Sequence, residues 1–252
     1  MPEIVIVNLP QSSERRAQIS AQLNRLGLPF HFFSAIDGRT QGNHPLMQHY
    51  NAKLSIQVRG RKLSAGQLGC FASHYLLWQE CVTKQQSIIV LEDDAIVDDE
   101  RFKAFYQVCD QFPTHMGFIR LHQHRRKSYR SQRIFEQQQV CVARFNKGHM
   151  GTIGYYLTPT AAASLLKHAN TWYLPVDIYM DHFWIHKVDS YGLEPPCLCH
   201  DDEIESEIGY SKKHKHYTLA QKVRREMFNG YNLLARHIHN LKFYFWHRTL
   251  RK

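Results

Sequence analysis

The chain has 252 residues, 43% hydrophobic and 21% charged, enough for a substantial core and ordinary for a globular protein. No stretch approaches the roughly 18 consecutive apolar residues of a membrane span, and the opening "MPEIVIVNLPQSSERR" lacks the basic region and cleavage site of a signal peptide. The net charge of +10 is uneven: Ser211–Lys252 holds 11 Lys or Arg and one acid, Glu226, while residues 1–210 hold 21 basic and 21 acidic residues.

That imbalance predicts a neutral body over 1–210 and a basic tail over 211–252, with a boundary near Gly209. A neutral body with no groove-reading or base-stacking motif speaks against nucleic acid as a partner. The six cysteines mostly sit among apolar neighbours and read as buried free thiols. "CLCH" has no second pair at zinc-site spacing.

In chain order, Glu3–Leu9 reads as a buried β-branched strand. "SSERRAQISAQLNRLG" reads as a helix capped by Ser12 or Ser13 and ended by Gly27. "FHFFSAI" is a second strand, and Arg39–Arg61 has no clear period and reads as a long loop. Ser64 and Gln67 fit a capping box ahead of the helix "AGQLGCFASHYLLWQECV". A strand follows in "SIIVLEDD", then a helix in "DDERFKAFYQVC" and strands in "GFIRLH" and "GTIGYYL". "TPTAAASLLKH" is a helix capped by Thr158. "PVDIYMDHFWIHKVD" reads as one further helix and "LEPPCLC" as a short last strand. Alternating strands and helices predict an α/β fold with a mainly parallel sheet covered on both faces.

One feature needs compensation. Glu92, Asp93 and Asp94 end an apolar strand, although adjacent carboxylates repel and are poor strand formers. In open α/β sheets ligands gather at the carboxyl ends of strands. A divalent cation would relieve the repulsion, and oxygen ligands suit Mg²⁺ or Mn²⁺ with a diphosphate. The other reading is a charged turn whose acids favour the next helix N-terminus.

Six blocks in order resemble glycosyltransferase family 25, the bacterial lipooligosaccharide and lipopolysaccharide galactosyltransferases. They are "VIVNLPQSSERRAQI", "LPFHFFSAIDGR", "LSAGQLGCFASHYLLWQECV", "IIVLEDDAIV", "GTIGYYLTPTAAASLL" and "PVDIYM". The resemblance implies a GT-A fold, Rossmann-like, with a UDP-sugar donor and Mn²⁺ (or Mg²⁺). It implies an inverting transfer of a hexose, galactose first, onto a lipid-linked oligosaccharide acceptor. UDP-glucose or UDP-N-acetylglucosamine is the alternative donor, and a non-catalytic nucleotide-sugar binding protein the alternative role.

Within that frame Asp94 is expected on the metal, with Glu92 on the ribose or a metal-bound water. Strand alternation would put Glu92 and Asp94 on one side and Asp93 on the other, unless the strand has already broken. Asn8 ends the first strand, and Arg15 and Arg16 open the next helix, where either can pair with phosphate. Asp37 is a candidate for the uracil or ribose. His74 is either a satisfied core histidine or a donor-site residue. Gly151 and Thr152 let the backbone approach the donor sugar. Asp177 and Asp181, four apart on a helix, are the candidate bases, with Asp177 favoured because it belongs to the matched "PVD" block. His200 and Asp201 end the last strand as possible further metal ligands. His182 and His186 are also four apart, but Phe183 stands where a zinc hydrolase has glutamate.

The tail mixes basic with aromatic and aliphatic residues, which suits a helix on an anionic membrane surface. The expected location is cytoplasmic, peripheral on the inner face of the bacterial inner membrane. The alternative is a basic helix packed on the body. Residues 39–61 are expected to shape the acceptor site.

Overall fold

The computed structural model describes residues 1–200 and 218–250. β1 (Glu3–Asn8) leads into α1 (Ser13–Leu26), ended by Gly27 at φ 66°. β2 (Phe30–Ser34) precedes the segment expected to be all loop. That segment contains a helix, α2 (Ala52–Arg59), started by the Asn51 side chain accepting from Leu54 N–H. Its apolar residues are too few to give a readable period. α3 (Ala65–Lys84) carries the predicted Ser64–Gln67 capping box. β3 (Ile88–Glu92), β4 (Ala95–Val97) and α4 (Asp99–Val108) follow, the last capped by Asp98.

β5 (Phe118–Arg120) is followed by a hairpin of β6 (Ser131–Gln137) and β7 (Val140–Phe145), which the pattern did not announce. Then come β8 (Gly154–Leu157) and α5 (Pro159–His168), capped by Thr158. The single helix expected from Pro175 to Asp189 is two short ones, α6 (Val176–Met180) and α7 (Phe183–His186), closed by Lys187 at φ 63°. The last strand is likewise split into β9 (Tyr191–Leu193) and β10 (Leu198–His200), with Pro195 and Pro196 between them. α8 (Leu219–Leu250) is the helix expected in the tail.

The α/β reading holds, in an eight-stranded mixed sheet of order β2-β1-β3-β8-β5-β9-β7-β6. β2, β1 and β3 are parallel, as are β5 and β9, while β8, β7 and β6 run against their neighbours. Helical crossovers permit the first group, and the hairpin requires antiparallel pairing in the last. Alternate residues feed two cores. Ile4, Ile6, Ile89 and Leu91 meet Ile19 and Leu23 of α1 and Phe102 and Phe105 of α4. Val5, Ile88 and Val90 meet Phe71 and Trp78 of α3 and Leu165 of α5. Each such side chain contributes roughly 1.5–3 kcal/mol of burial. Helices therefore cover both faces, and a cavity opens at the carboxyl ends of β1 and β3. Register sets Val7 against Glu92 there.

The boundary expected near Gly209 lies outside the described residues. α8 docks on the body by one face: Trp184 Nε1 donates to Asn232 Oδ1 at 3.2 Å, and Arg144 lies 4.2 Å over the ring of Phe243, which is 7% exposed. His239 Nε2 sits 2.8 Å from Asp189 Oδ1. Among the described residues no helix is long and apolar enough to cross a membrane.

Candidate active site

A cavity of about 530 Å³ opens at the carboxyl ends of β1 and β3. Its walls include Arg15, Asp37, His74, the three acids Glu92–Asp94, Gly151, Thr152 and Asp177. Six separate sequence blocks thus converge on one space.

The strand ends at Glu92 and the chain turns at Asp93 and Asp94. Alternation therefore stops one residue before it would send Asp93 away, and all three acids face the cavity. Neighbours offset their repulsion. Asn8 Nδ2 donates to Asp93 Oδ2 at 2.7 Å, and Arg15 Nη1 stands 3.5 Å from Asp93 Oδ1 and 3.8 Å from Asp94 Oδ2. The Thr152 hydroxyl donates to Glu92 Oε1. Burial, reinforced by the Asp94 charge, still pushes Glu92 up to about 8. Burial also raises Asp93, against the Asn8 bond.

His74 is fully buried in α3 and lines the cavity. Its Nδ1 is 2.8 Å from the Tyr155 hydroxyl, which accepts from Trp78 Nε1 at 3.0 Å. With the Tyr155 proton given to Nδ1, the ring proton stands on Nε2. Nε2 has no hydrogen-bond partner and lies 4.0 Å from Glu92 Oε1. Burial, then the charge of Arg120, depresses His74 to about 3, so the ring is neutral. Asp37 is held by Arg39 Nε at 2.8 Å and Gln11 Nε2 at 3.2 Å, and the Arg39 bond lowers its pKa.

The two candidate bases separate. Asp177 lines the cavity, its Oδ2 3.4 Å from Gly151 N–H, and Gly151 takes φ 83° to make that approach. Asp181 does not line it. Asp181 is 2% exposed behind the 148–152 loop, with Arg126 Nη2 at 2.9 Å, Arg120 Nη2 at 3.4 Å and Met150 N–H at 3.2 Å. Burial raises its pKa against the pull of both arginines. Asp181 caps the helix and its N–H still donates to Asp177 O at 3.1 Å, so it is the two arginines, not the helix end, that hold its carboxylate apart from the cavity.

Arg16 also lies elsewhere, its guanidinium 3.7 Å over the Phe32 ring. β10 pairs His200 with Ala95, next to Asp94 in the chain. The ligand roles expected of the His200 side chain and of Asp201 lie outside the described residues. His186 cannot serve a zinc pair: Nε2 donates to Met180 O at 3.1 Å and Nδ1 accepts from Val188 N–H at 3.3 Å.

Among the cavity residues that sequence reasoning passed over are Arg125 and Cys70. Arg125 reaches it from a loop with no pattern of its own. Cys70 stands one turn before His74, and the donor atoms of Cys70, His74 and Glu92 lie within 4.8 Å of one another. The i, i+4 spacing on α3 was the available signal. Burial raises the Cys70 thiol pKa well above its usual value.

The model of "Glycosyltransferase family 25 (LPS biosynthesis protein)" matches residues 1–180. The Haemophilus influenzae "Lipooligosaccharide biosynthesis protein lic2B" is 23% identical over 217 residues, 79% of this chain and 76% of that protein. The Danio rerio "Procollagen galactosyltransferase 1" is 33% identical over 110 residues, 42% of this chain and 17% of that one. The Rattus norvegicus "Probable inactive glycosyltransferase 25 family member 3" is 30% identical over 117 residues, 44% of this chain and 20% of that one. The chain spans less than a third of the length of the insect and mammalian relatives it matches. It belongs to glycosyltransferase family 25.

Proposed function

We propose that this glycosyltransferase moves galactose from UDP-galactose to a hydroxyl of a lipid-linked lipooligosaccharide or lipopolysaccharide core, with inversion. The observation that carries the reading is the convergence of Glu92, Asp93, Asp94 and Arg15 on one side of a cavity with Asp177 on another wall. A galactosyltransferase and a lipooligosaccharide biosynthesis protein among the relatives support the donor and acceptor class.

The three carboxylates lining the strand end offer hard oxygen ligands of the kind Mn²⁺ or Mg²⁺ takes. Asp94 and Glu92 would hold it. When bound, the ion supplies Lewis-acid neutralisation of the leaving diphosphate. Arg15 adds a guanidinium at the same end, and Asn8 and Thr152 fix the carboxylates through Asp93 and Glu92. Asp177, oriented by the Gly151 N–H, takes the proton of the acceptor hydroxyl. The acceptor oxygen forms a bond to the anomeric carbon as the carbon–oxygen bond to UDP breaks, and UDP leaves with the electron pair.

The tail supports placement at an anionic membrane surface, on the cytoplasmic face of the bacterial inner membrane. Val223, Met227, Tyr231, Leu234, Ile238 and Leu241 are exposed at steps of four or three residues, a single apolar stripe beside basic residues.

The test is calorimetric titration of UDP-galactose, UDP-glucose and UDP-N-acetylglucosamine with and without Mn²⁺, on wild type and Asp94→Ala. Metal-dependent binding of UDP-galactose, lost in the variant, is the expected result. Binding of another sugar nucleotide would replace the donor. Binding without turnover on any core acceptor would make the protein a non-catalytic binder, and no binding to folded protein would remove the reading.

A further inference from the structure

A second opening, of about 630 Å³, lies between α2, the α6–α7 segment and α8. Five guanidinium groups line it: Arg59, Arg61, Arg126, Arg225 and Arg236. The carboxylate in its wall is Asp181, whose two oxygens are already engaged by Arg120 and Arg126. Arg225 pairs with the exposed Glu226. Arg59, Arg61 and Arg236 have no carboxylate within ion-pair distance among the described residues, and Arg59 Nη1 is buried without a hydrogen-bond partner. The cations disturb one another. Burial, then the charge of Arg61, lowers Arg59 to about 10, and burial, then Arg126, lowers Arg236.

Partly buried like charges with unfilled donors cost stability unless an anion completes them. Guanidinium forks match phosphate and carboxylate oxygens in geometry and charge. The remaining wall includes Trp184 and Phe228, apolar surface suited to the C–H face of a sugar ring. α6 and the Gly148–Thr152 loop divide this cleft from the donor cavity. Gly148 and Ile178 face the cleft, while Thr152 and Asp177 face the cavity. A group held in the cleft therefore sits one wall from the proposed base.

We infer that this cleft binds the anionic group, phosphate or carboxylate, of a saccharide acceptor. The inference rests on the glycosyl-transfer reading above and names the chemical class of the acceptor. A bilayer is the poorer occupant. The cleft is recessed between α2, the α6–α7 segment and α8, and the apolar stripe of α8 that a bilayer would take is on the opposite side of the helix. At 3.6 residues per turn, Arg225, Asn229, Asn232 and Arg236 point about 180° from Met227, Leu234 and Ile238.

The experiment titrates the full chain with glucose 6-phosphate, glucuronic acid, glucose, inorganic phosphate and phosphatidylglycerol vesicles, and separately with UDP-galactose and Mn²⁺. Wild type, Arg59→Gln, Arg236→Gln and Arg225→Gln are compared, each checked for an intact melting transition. Each variant changes a single residue, so one that fails to fold leaves two. Binding of glucose 6-phosphate or glucuronic acid, at least tenfold tighter than glucose and weakened at least tenfold in Arg59→Gln or Arg236→Gln, supports the proposal. The phosphate and the acid then identify the group. Inorganic phosphate binding as tightly as the sugar phosphate would reduce the cleft to a plain anion site and overturn it. So would arginine-dependent vesicle binding without sugar-anion binding. A further variant with Asp201, Asp202, Glu203, Glu205 and Glu207 changed to Asn or Gln tests the chain's own acids. Sugar-anion binding seen only in that variant would overturn an external ligand. Loss of UDP-galactose binding in wild type, with sugar-anion binding kept, would sink the donor reading and leave the cleft standing.

Discussion

Asn8 Nδ2 donates to Asp93 Oδ2 across 2.7 Å, joining the ends of two neighbouring parallel strands through residues 85 apart in sequence. The same amide donates to Ser12 O at 3.2 Å, so it ties the start of α1 to the acid turn. Asn8→Ala leaves a buried carboxylate oxygen short of a donor. We expect a loss of about 1–3 kcal/mol, read as a lower urea midpoint with unchanged slope, together with weaker UDP-sugar binding. An unchanged midpoint would assign the restraint of Asp93 to Arg15 alone.

Asp177 and Asp181 should fail in different ways. Asp177→Asn keeps its place beside Gly151 and loses the base, so turnover should fall by about 10²–10⁴-fold with an unchanged melting temperature. Asp181→Asn breaks an ion pair buried on both sides, a cost of about 3–5 kcal/mol. Its denaturant midpoint should drop sharply. A stable Asp181→Asn protein with no turnover would reverse the two assignments.

Gly69 of α3 lies where the helix touches the chain after β2. A Cβ there would collide with Ile36 O and come 2.5 Å from Gly38 N. Gly69→Ala has to push apart two backbones that wall the donor cavity. A loss of about 1–3 kcal/mol is expected, with weaker donor binding. Retention of wild-type stability would mean that the 36–38 segment yields freely.

His186 is buried with both ring nitrogens engaged, and burial depresses its pKa to about 3. It stays neutral in the fold but takes a proton below about 6.5 when unfolded. The unfolded state therefore binds more protons between about 3 and 6.5, and stability falls as pH drops through that window. Wild type should lose about 2 kcal/mol more than His186→Gln between pH 7 and pH 5. Parallel stability curves for the two proteins would contradict a neutral, buried ring.

The exposed stripe on α8 predicts adsorption to anionic vesicles. Leu234→Asp with Ile238→Asp should cut flotation with phosphatidylglycerol vesicles at least tenfold, leaving Mn²⁺-dependent UDP-galactose binding intact. A concentration-dependent dimer in solution, abolished by the same pair of changes, would show that a second copy covers the stripe instead.

Much of this protein is local and so was legible in the residue order. The Ser64–Gln67 box, the Thr158 cap, the Gly27 stop and the β-branched run of β1 all depend on neighbours within a turn or two. The acid run after Ile88–Leu91 announced a loaded strand end for the same reason. What the residue order left open was settled by partners far away in the chain. Arg120 and Arg126 withdraw Asp181 from the cavity, and Phe32 takes Arg16 while Arg15 turns to the acids. Five arginines from three regions of the chain meet in one cleft. Periodicity and capping report contacts a few residues apart. Ion pairs and desolvation depend on what packs across the sheet, and only the folded chain decides that.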